Sequence, residues 1–115
     1  MIEIANLRKS YGSLVAVDGV SFTVADGETF GLLGPNGAGK TTTMHMITGA
    51  LAPDAGSINI NGEQASGRSD VRYHLGLAPQ SLAIYETLTA EENLAFFGKL
   101  YGLSGAKLRE RVDFT

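Results

Sequence analysis

The 115 residues include no cysteine, which excludes a disulfide framework and any thiolate metal site. No apolar run approaches the ~18 residues that would span a bilayer, and Met1 is followed by Glu3 in a short strand-like stretch with no signal-peptide core. Any membrane role is therefore expected to be peripheral, through another chain. Positive charge is scarce as well: 9 Lys and Arg stand against 12 Asp and Glu, a net charge of −3. That balance argues against a nucleic-acid binder, whose affinity would come from a basic, phosphate-facing surface.

Glycine, by contrast, is abundant. It accounts for 15 of 115 residues, well above the usual ~7%, and it clusters in short turns and one loop, without a collagen-like or linker repeat. That distribution points to backbone used for binding. The remaining composition, 43% hydrophobic and 18% charged, suits one soluble domain with a single modest core.

Ile2 to Leu7 alternate apolar and polar residues at period two, as do Val15 to Val24 around Gly19, so the spacing predicts an antiparallel, hairpin-like opening. Asp26-Gly27 is a turn dipeptide. Glu28 to Leu33 (ETFGLL) then reads as a strand buried on both faces. From Lys40 the pattern is helical, with Met44, Ile47 and Leu51 on one stripe and Gly49 and Pro53 as stop signals. Ser57 to Ile60 reads as a strand, Asn61-Gly62 as a hairpin turn, and Tyr73 to Ala78 as a further strand ending at Pro79. Thr89 and Glu92 form a T-x-x-E capping box ahead of Leu94, Phe96, Phe97, Leu100 and Tyr101. This helix is apolar on much of its circumference and needs neighbours on more than one side. Ser104 is placed to cap a last helix carrying Leu108, Arg111, Val112 and Thr115 on one stripe, and no stop signal follows, so the pattern reads as cut inside an element.

The decisive segment is Gly34-Pro35-Asn36-Gly37-Ala38-Gly39-Lys40-Thr41-Thr42, which satisfies G-x-x-x-x-G-K-S/T between a predicted strand and a predicted helix. A polyanion needs many converging donors and side chains would crowd its approach, so glycines let backbone N–H groups wrap it. The helix that follows contributes its unpaired N–H groups and positive dipole end. In this reading Asn36 to Thr41 supply the backbone cradle for ATP. Lys40 reaches the β- and γ-phosphates, the Thr41 hydroxyl ligates Mg²⁺, and Thr42 bonds near the α-phosphate.

GPNGAGKTT, with Tyr11 upstream and LGLAPQ downstream, resembles the opening half of an ABC-transporter nucleotide-binding domain, and the resemblance covers essentially the whole chain. Leu88 to Leu103 is similar to the start of the helical subdomain of bacterial multidrug and ABC-2-type exporter subunits. The implied fold is an α/β P-loop NTPase of ABC type, truncated: an N-terminal antiparallel β region, the start of the parallel core sheet, and the start of the helical subdomain at about 86–115. The resemblance implies that Tyr11 stacks on adenine, where only a flat π-face is needed, and that Val17 lines the same pocket. Taken alone, Tyr11 reads as a half-buried packing residue. Gln80 resembles the Q-loop glutamine, whose amide oxygen ligates Mg²⁺ or holds the attacking water, so Lys40 and Gln80 are the candidate catalytic residues. The implied partners are transmembrane permease subunits and a second nucleotide-binding domain in a head-to-tail dimer, with the protein on the cytoplasmic side of the membrane.

His45 and His74 lie far apart without a third ligand at metal spacing, and Glu91 and Glu92 are explained by the cap and the helix dipole. Leu103-Ser104-Gly105 resembles the LSGGQ signature only in its first three residues and reads better as a helix cap. Asp113, preceded by Arg111 and Val112, does not fit the Walker B aspartate. The signature, Walker B, the catalytic glutamate and the switch histidine of the family do not occur in these residues, so this stretch is expected to bind ATP without hydrolysing it. A non-transport P-loop ATPase and a truncated, non-catalytic binding module are the alternatives.

Overall fold

The computed structural model describes residues 1–65, 70–81 and 83–115. They form two compact units, Met1–Gly76 and Leu77–Thr115.

The first unit opens on a hairpin, β1 (Ile2–Tyr11) and β2 (Leu14–Val24), both longer than the alternation alone predicts. The strands are antiparallel and meet at Tyr11↔Leu14 across Gly12-Ser13, with register shifts between Ile4 and Ser10. Helix α1 (Lys40–Thr48) follows, then β3 (Ala55–Ile60) and β4 (Glu63–Gln64). The sheet order is β2-β1-β3-β4 and every pairing is antiparallel. The β3–β4 turn is Asn61-Gly62, both at positive φ, as expected of a two-residue hairpin.

Burial follows the pleat in β3, at Ile58 and Ile60, whereas in β1 the buried Ile4 and Leu7 are three apart, across a register shift. Ile4, Leu7, Val17, Ile58 and Ile60 of the sheet bury against Met46 and Ile47 of α1, with Ala65 and Val71 completing the core. The buried stripe of α1 is Thr43, Met46 and Ile47, whereas Met44 is exposed, so the expected stripe is shifted by one residue onto the adjacent face. α1 ends where predicted, at Gly49, whose left-handed backbone caps it through an N–H donated to Met46 O.

Two expected strands are absent, and with them any parallel pairing among the described residues. Residues 28–33 form no ladder; Phe30 instead stacks on Phe22 of β2, ring centroids 4.8 Å apart, and Leu33 is exposed. An apolar run becomes a strand only where a neighbour offers its N–H and C=O groups, and none of the described strands pairs with this segment. The stretch predicted as a strand from Tyr73 is likewise unpaired. A 3₁₀ helix, α2 (Asp70–His74), takes its first two residues, Tyr73 and His74; Leu75 N donates to Arg72 O, and the Arg72 guanidinium donates to Ala65 O.

The second unit is a helical hairpin, α3 (Ala90–Leu100) and α4 (Gly105–Phe114). The predicted capping box is complete in both directions, Glu92 N donating to Thr89 Oγ1 and Thr89 N to Glu92 Oε2. Ser104 occupies the N-cap of α4, without a side-chain bond. The apolar side chains of α3 are not enclosed within this unit: Leu94, Phe96, Phe97 and Leu100 all keep substantial exposure, and the buried residue of α3 is Asn93. Asn93 Oδ1 accepts from Tyr85 N, and its Nδ2 donates to the carbonyls of Tyr85, Leu88 and Thr89, tying the entering loop to the helix.

The fully buried Leu7 side chain sets a stability expectation for the first unit. Leu7→Ala should cost about 2–5 kcal/mol in urea unfolding; a loss within about 0.5 kcal/mol would contradict the packing described. In the second unit, the Thr89 N–H first, and then its hydroxyl, hold the Glu92 carboxyl below its ordinary value of 4.5. A depressed folded-state pKa stabilises fully above the ordinary value and ceases to as pH falls through the folded one. Exchange protection of the first turn of α3 should therefore drop as pH falls below the ordinary value of 4.5, and the Glu92→Gln variant should show no such step.

Candidate functional site

The loop 34–39 leads directly into α1. Its turn is closed by Ala38 N donating to Pro35 O at 3.2 Å. The base of the loop, Gly39, lies on the backbone of β2. A Cβ at this position would fall 2.2 Å from Ala16 O and 3.0 Å from Val17 Cγ2, and φ is +77°. No side chain fits that approach, and L-residues rarely adopt that backbone.

Gly39 is also the N-cap of α1, so no side chain caps the helix. The N–H groups of Lys40, Thr41 and Thr42 occupy the first three helical positions and have no i−4 carbonyl within the helix. The first intrahelical bond runs from Thr43 N to Gly39 O at 2.8 Å, and the buried Thr43 hydroxyl donates to the same oxygen at 2.9 Å. These two bonds hold the junction rigid. Sequence reasoning missed Thr43; its available signal is a hydroxyl four residues after the last loop glycine, the spacing for bonding back to a helical carbonyl.

Lys40 Nζ donates to Gly34 O and Pro35 O, each at 2.6 Å, and so lies across the loop. An ammonium, three helix-opening N–H groups and the positive dipole end thus converge at one loop, an arrangement suited to a polyanion. Thr41 is exposed at the second helical position. Among the described residues no group of three or more His, Asp or Glu is placed to hold a metal. A hydroxyl beside a phosphate-binding loop nevertheless fits the magnesium mode in which one or two protein ligands combine with substrate phosphates.

Tyr11 ends β1 and is half exposed, with Lys9 Nζ 5.9 Å from its ring centroid. Its turn partner Leu14 begins the strand that, three residues on, brings Val17 against Gly39. Roughly 10 Å of strand therefore joins the Tyr11 turn to the base of the loop. Val17 itself is 4% exposed, so it forms part of the floor beneath the loop and has little surface to present. Gln80 lies in the second unit and is exposed. His45 is exposed on α1, and His74 ends the 3₁₀ helix, not a strand.

Residues 17–114 match the family model described as ABC transporter. The chain belongs to the ABC transporter family. The Nod factor export ATP-binding protein I of Paraburkholderia xenovorans is 50% identical over 112 residues, covering 96% of this chain and 37% of that relative. The linearmycin resistance ATP-binding protein LnrL of Bacillus subtilis is 45% identical over 113 residues, 97% of this chain and 36% of that relative. The chain thus spans somewhat over a third of the length of the curated relatives it matches. Among solved structures, a dimeric ATP-binding cassette in a post-hydrolysis state, bound to ADP and Pi, superposes with a TM-score of 0.81 at 26% identity, covering 97% of this chain and 54% of that one. As in the expected ABC-type fold, an N-terminal antiparallel region leads into the phosphate-loop helix.

The close approach at Gly39 gives a direct test. Gly39→Ala must relieve both the clash with Ala16 O and the left-handed backbone, so it should destabilise the first unit by at least about 1–2 kcal/mol. Gly37→Ala meets nothing within 4 Å and should cost less. Equal losses in urea unfolding would remove the contact with β2 as the cause.

Proposed function

We propose that this chain is the phosphate-loop portion of the ATP-binding subunit of an ABC exporter, and that residues 34–42 hold the phosphates of Mg-ATP. The observation that carries this reading is the convergence of the Lys40 ammonium and the uncapped start of α1 on one loop seated on β2. Its support from outside the chain is the naming of two relatives, at 45% and 50% identity, as export or resistance ATP-binding proteins, together with the ADP and Pi bound by the similar cassette.

In this reading Lys40 exchanges the carbonyls of Gly34 and Pro35 for β- and γ-phosphate oxygens, which accept from an ammonium more strongly because they are charged. Asn36, Gly37, Ala38, Gly39, Lys40 and Thr41 donate backbone N–H groups, and Thr42 serves the α-phosphate. Mg²⁺, when bound, would neutralise phosphate charge; Thr41 would be its ligand at the phosphate loop, and Gln80, in the second unit, is assigned either to Mg²⁺ or to the attacking water. Tyr11 offers its exposed face to adenine, and Val17 supports the loop from below. Hydrolysis is assigned to the whole protein, which pairs with a second nucleotide-binding domain and with permease subunits. The position assigned to the chain is peripheral, on the cytoplasmic side of the membrane; no helix among the described residues is long and apolar enough to cross it.

Calorimetric titration with Mg-ATP and with inorganic triphosphate tests the assignments. Lys40→Ala should weaken both ligands by about ten-fold or more, the equivalent of one charge-assisted hydrogen bond. Tyr11→Ala should weaken ATP alone. Undiminished ATP affinity in Lys40→Ala would sink the phosphate-loop reading, and equal losses for the two ligands in Tyr11→Ala would remove Tyr11 from the adenine role.

A further inference from the structure

Lys9 and Tyr11 are two residues apart on β1, so their side chains share one face of the strand. Lys9 is unusually confined for a lysine at a strand end. Its Nζ donates to Asp54 Oδ1 at 2.6 Å and its side chain is only 15% exposed. Asp54 is fixed in turn. Its other carboxylate oxygen accepts from Ser10 N at 2.8 Å, and its own N–H donates to Arg8 O at 2.9 Å. Three bonds therefore tie the residue before β3 to the last turn of β1. The carboxyl is held below the ordinary carboxylate range, first by the bond from Lys9 and then by that from Ser10, which keeps the anchor charged.

With the ammonium so held, it stands 5.9 Å from the Tyr11 ring centroid, within the range at which a cation is attracted to the ring quadrupole. A tyrosine half exposed at a hairpin end would otherwise exchange rotamers freely. We propose that Lys9, anchored by Asp54, is a positioning residue that fixes the Tyr11 ring as the platform on which a nucleotide's base stacks. The cation engages one face and leaves the opposite face for the base. The bonds that tie Asp54 to β1 also place the ammonium beside the ring. This inference rests on the adenine role given to Tyr11 above, and it assigns a function to two residues outside the phosphate loop.

The test is calorimetric titration of the chain with Mg-ATP and with inorganic triphosphate for Lys9→Met, Lys9→Arg and Asp54→Asn, each also combined with Tyr11→Ala. Lys9→Met keeps the aliphatic stem and loses the charge; it should weaken Mg-ATP by about two- to five-fold and leave triphosphate unchanged. Lys9→Arg, which keeps a cation at the ring, should retain near-normal affinity. In the Tyr11→Ala background Lys9→Met should have no further effect. Asp54→Asn should resemble Lys9→Met, and it provides the second route if Lys9→Met proves poorly folded by its thermal midpoint. If Tyr11→Ala weakens ATP but neither Lys9→Met nor Asp54→Asn does, the positioning role is wrong while the adenine role stands. If Tyr11→Ala itself has no effect on ATP, the adenine role fails and this inference with it. Parallel losses for ATP and triphosphate in Lys9→Met would mark a general electrostatic or structural role and overturn the proposal.

Discussion

The near-contact between Gly39 and the backbone of β2 at Ala16 is the constraint on which the rest of the site depends. A helix start must be brought against a strand closely enough that no β-carbon can intervene, and at the same point the chain must turn left-handed. Once that approach is made, the orientation of α1 is set. Its first three N–H groups and its positive end are delivered to the loop, and Met46 and Ile47 fall onto the sheet. Thr43 then fastens the junction by two bonds to a single carbonyl. Backbone placement therefore precedes side-chain chemistry here: the position of the Lys40 ammonium across Gly34 O and Pro35 O follows from the shape of the loop beneath it.

The same hairpin that receives Gly39 also carries Tyr11. One strand thus relates the two ends of the proposed site by covalent geometry, and strand rise fixes their separation without help from a mobile loop. The energetics divide accordingly. Apolar burial at Ile4, Leu7, Ile58 and Ile60 holds β1 to β3 and to the helix, whereas the ion pair of Arg8 with Asp18 is too exposed to add much stability. The more confined pair of Lys9 with Asp54 is directional, setting where a charge stands. In the second unit, Asn93 has a comparable function in the backbone: one buried amide bonds four polar groups of the chain entering α3, and a hydrophobic residue of that size would remove the bonds to Tyr85 N and Leu88 O.

Much of this was legible in the sequence because it depends on neighbours close along the chain. The nine residues from Gly34 to Thr42 announce their chemistry through spacing alone, since the loop needs glycine at fixed positions and the helix must start at the lysine. The capping box of Thr89 and Glu92, the Asn61-Gly62 turn and the end of α1 at Gly49 are likewise local, and each was read correctly. The family followed from the same residues, through motif and not through composition.

What only the tertiary structure decided are the features whose cause lies far along the chain. Residues 28–33 have the apolar character of a strand, yet strand identity belongs to a pair, and without a flanking ladder Phe30 stacks on Phe22 instead. Residues 70–74 form a 3₁₀ turn because Val71 is drawn into the core and Arg72 toward the carbonyl of Ala65. Lys9 and Asp54 are 45 positions apart, and no periodicity relates them. Local spacing thus determined the loop, the start of its helix and the family, whereas packing determined which backbone the loop rests on, which residue lies beneath it, and which charge stands beside the aromatic ring.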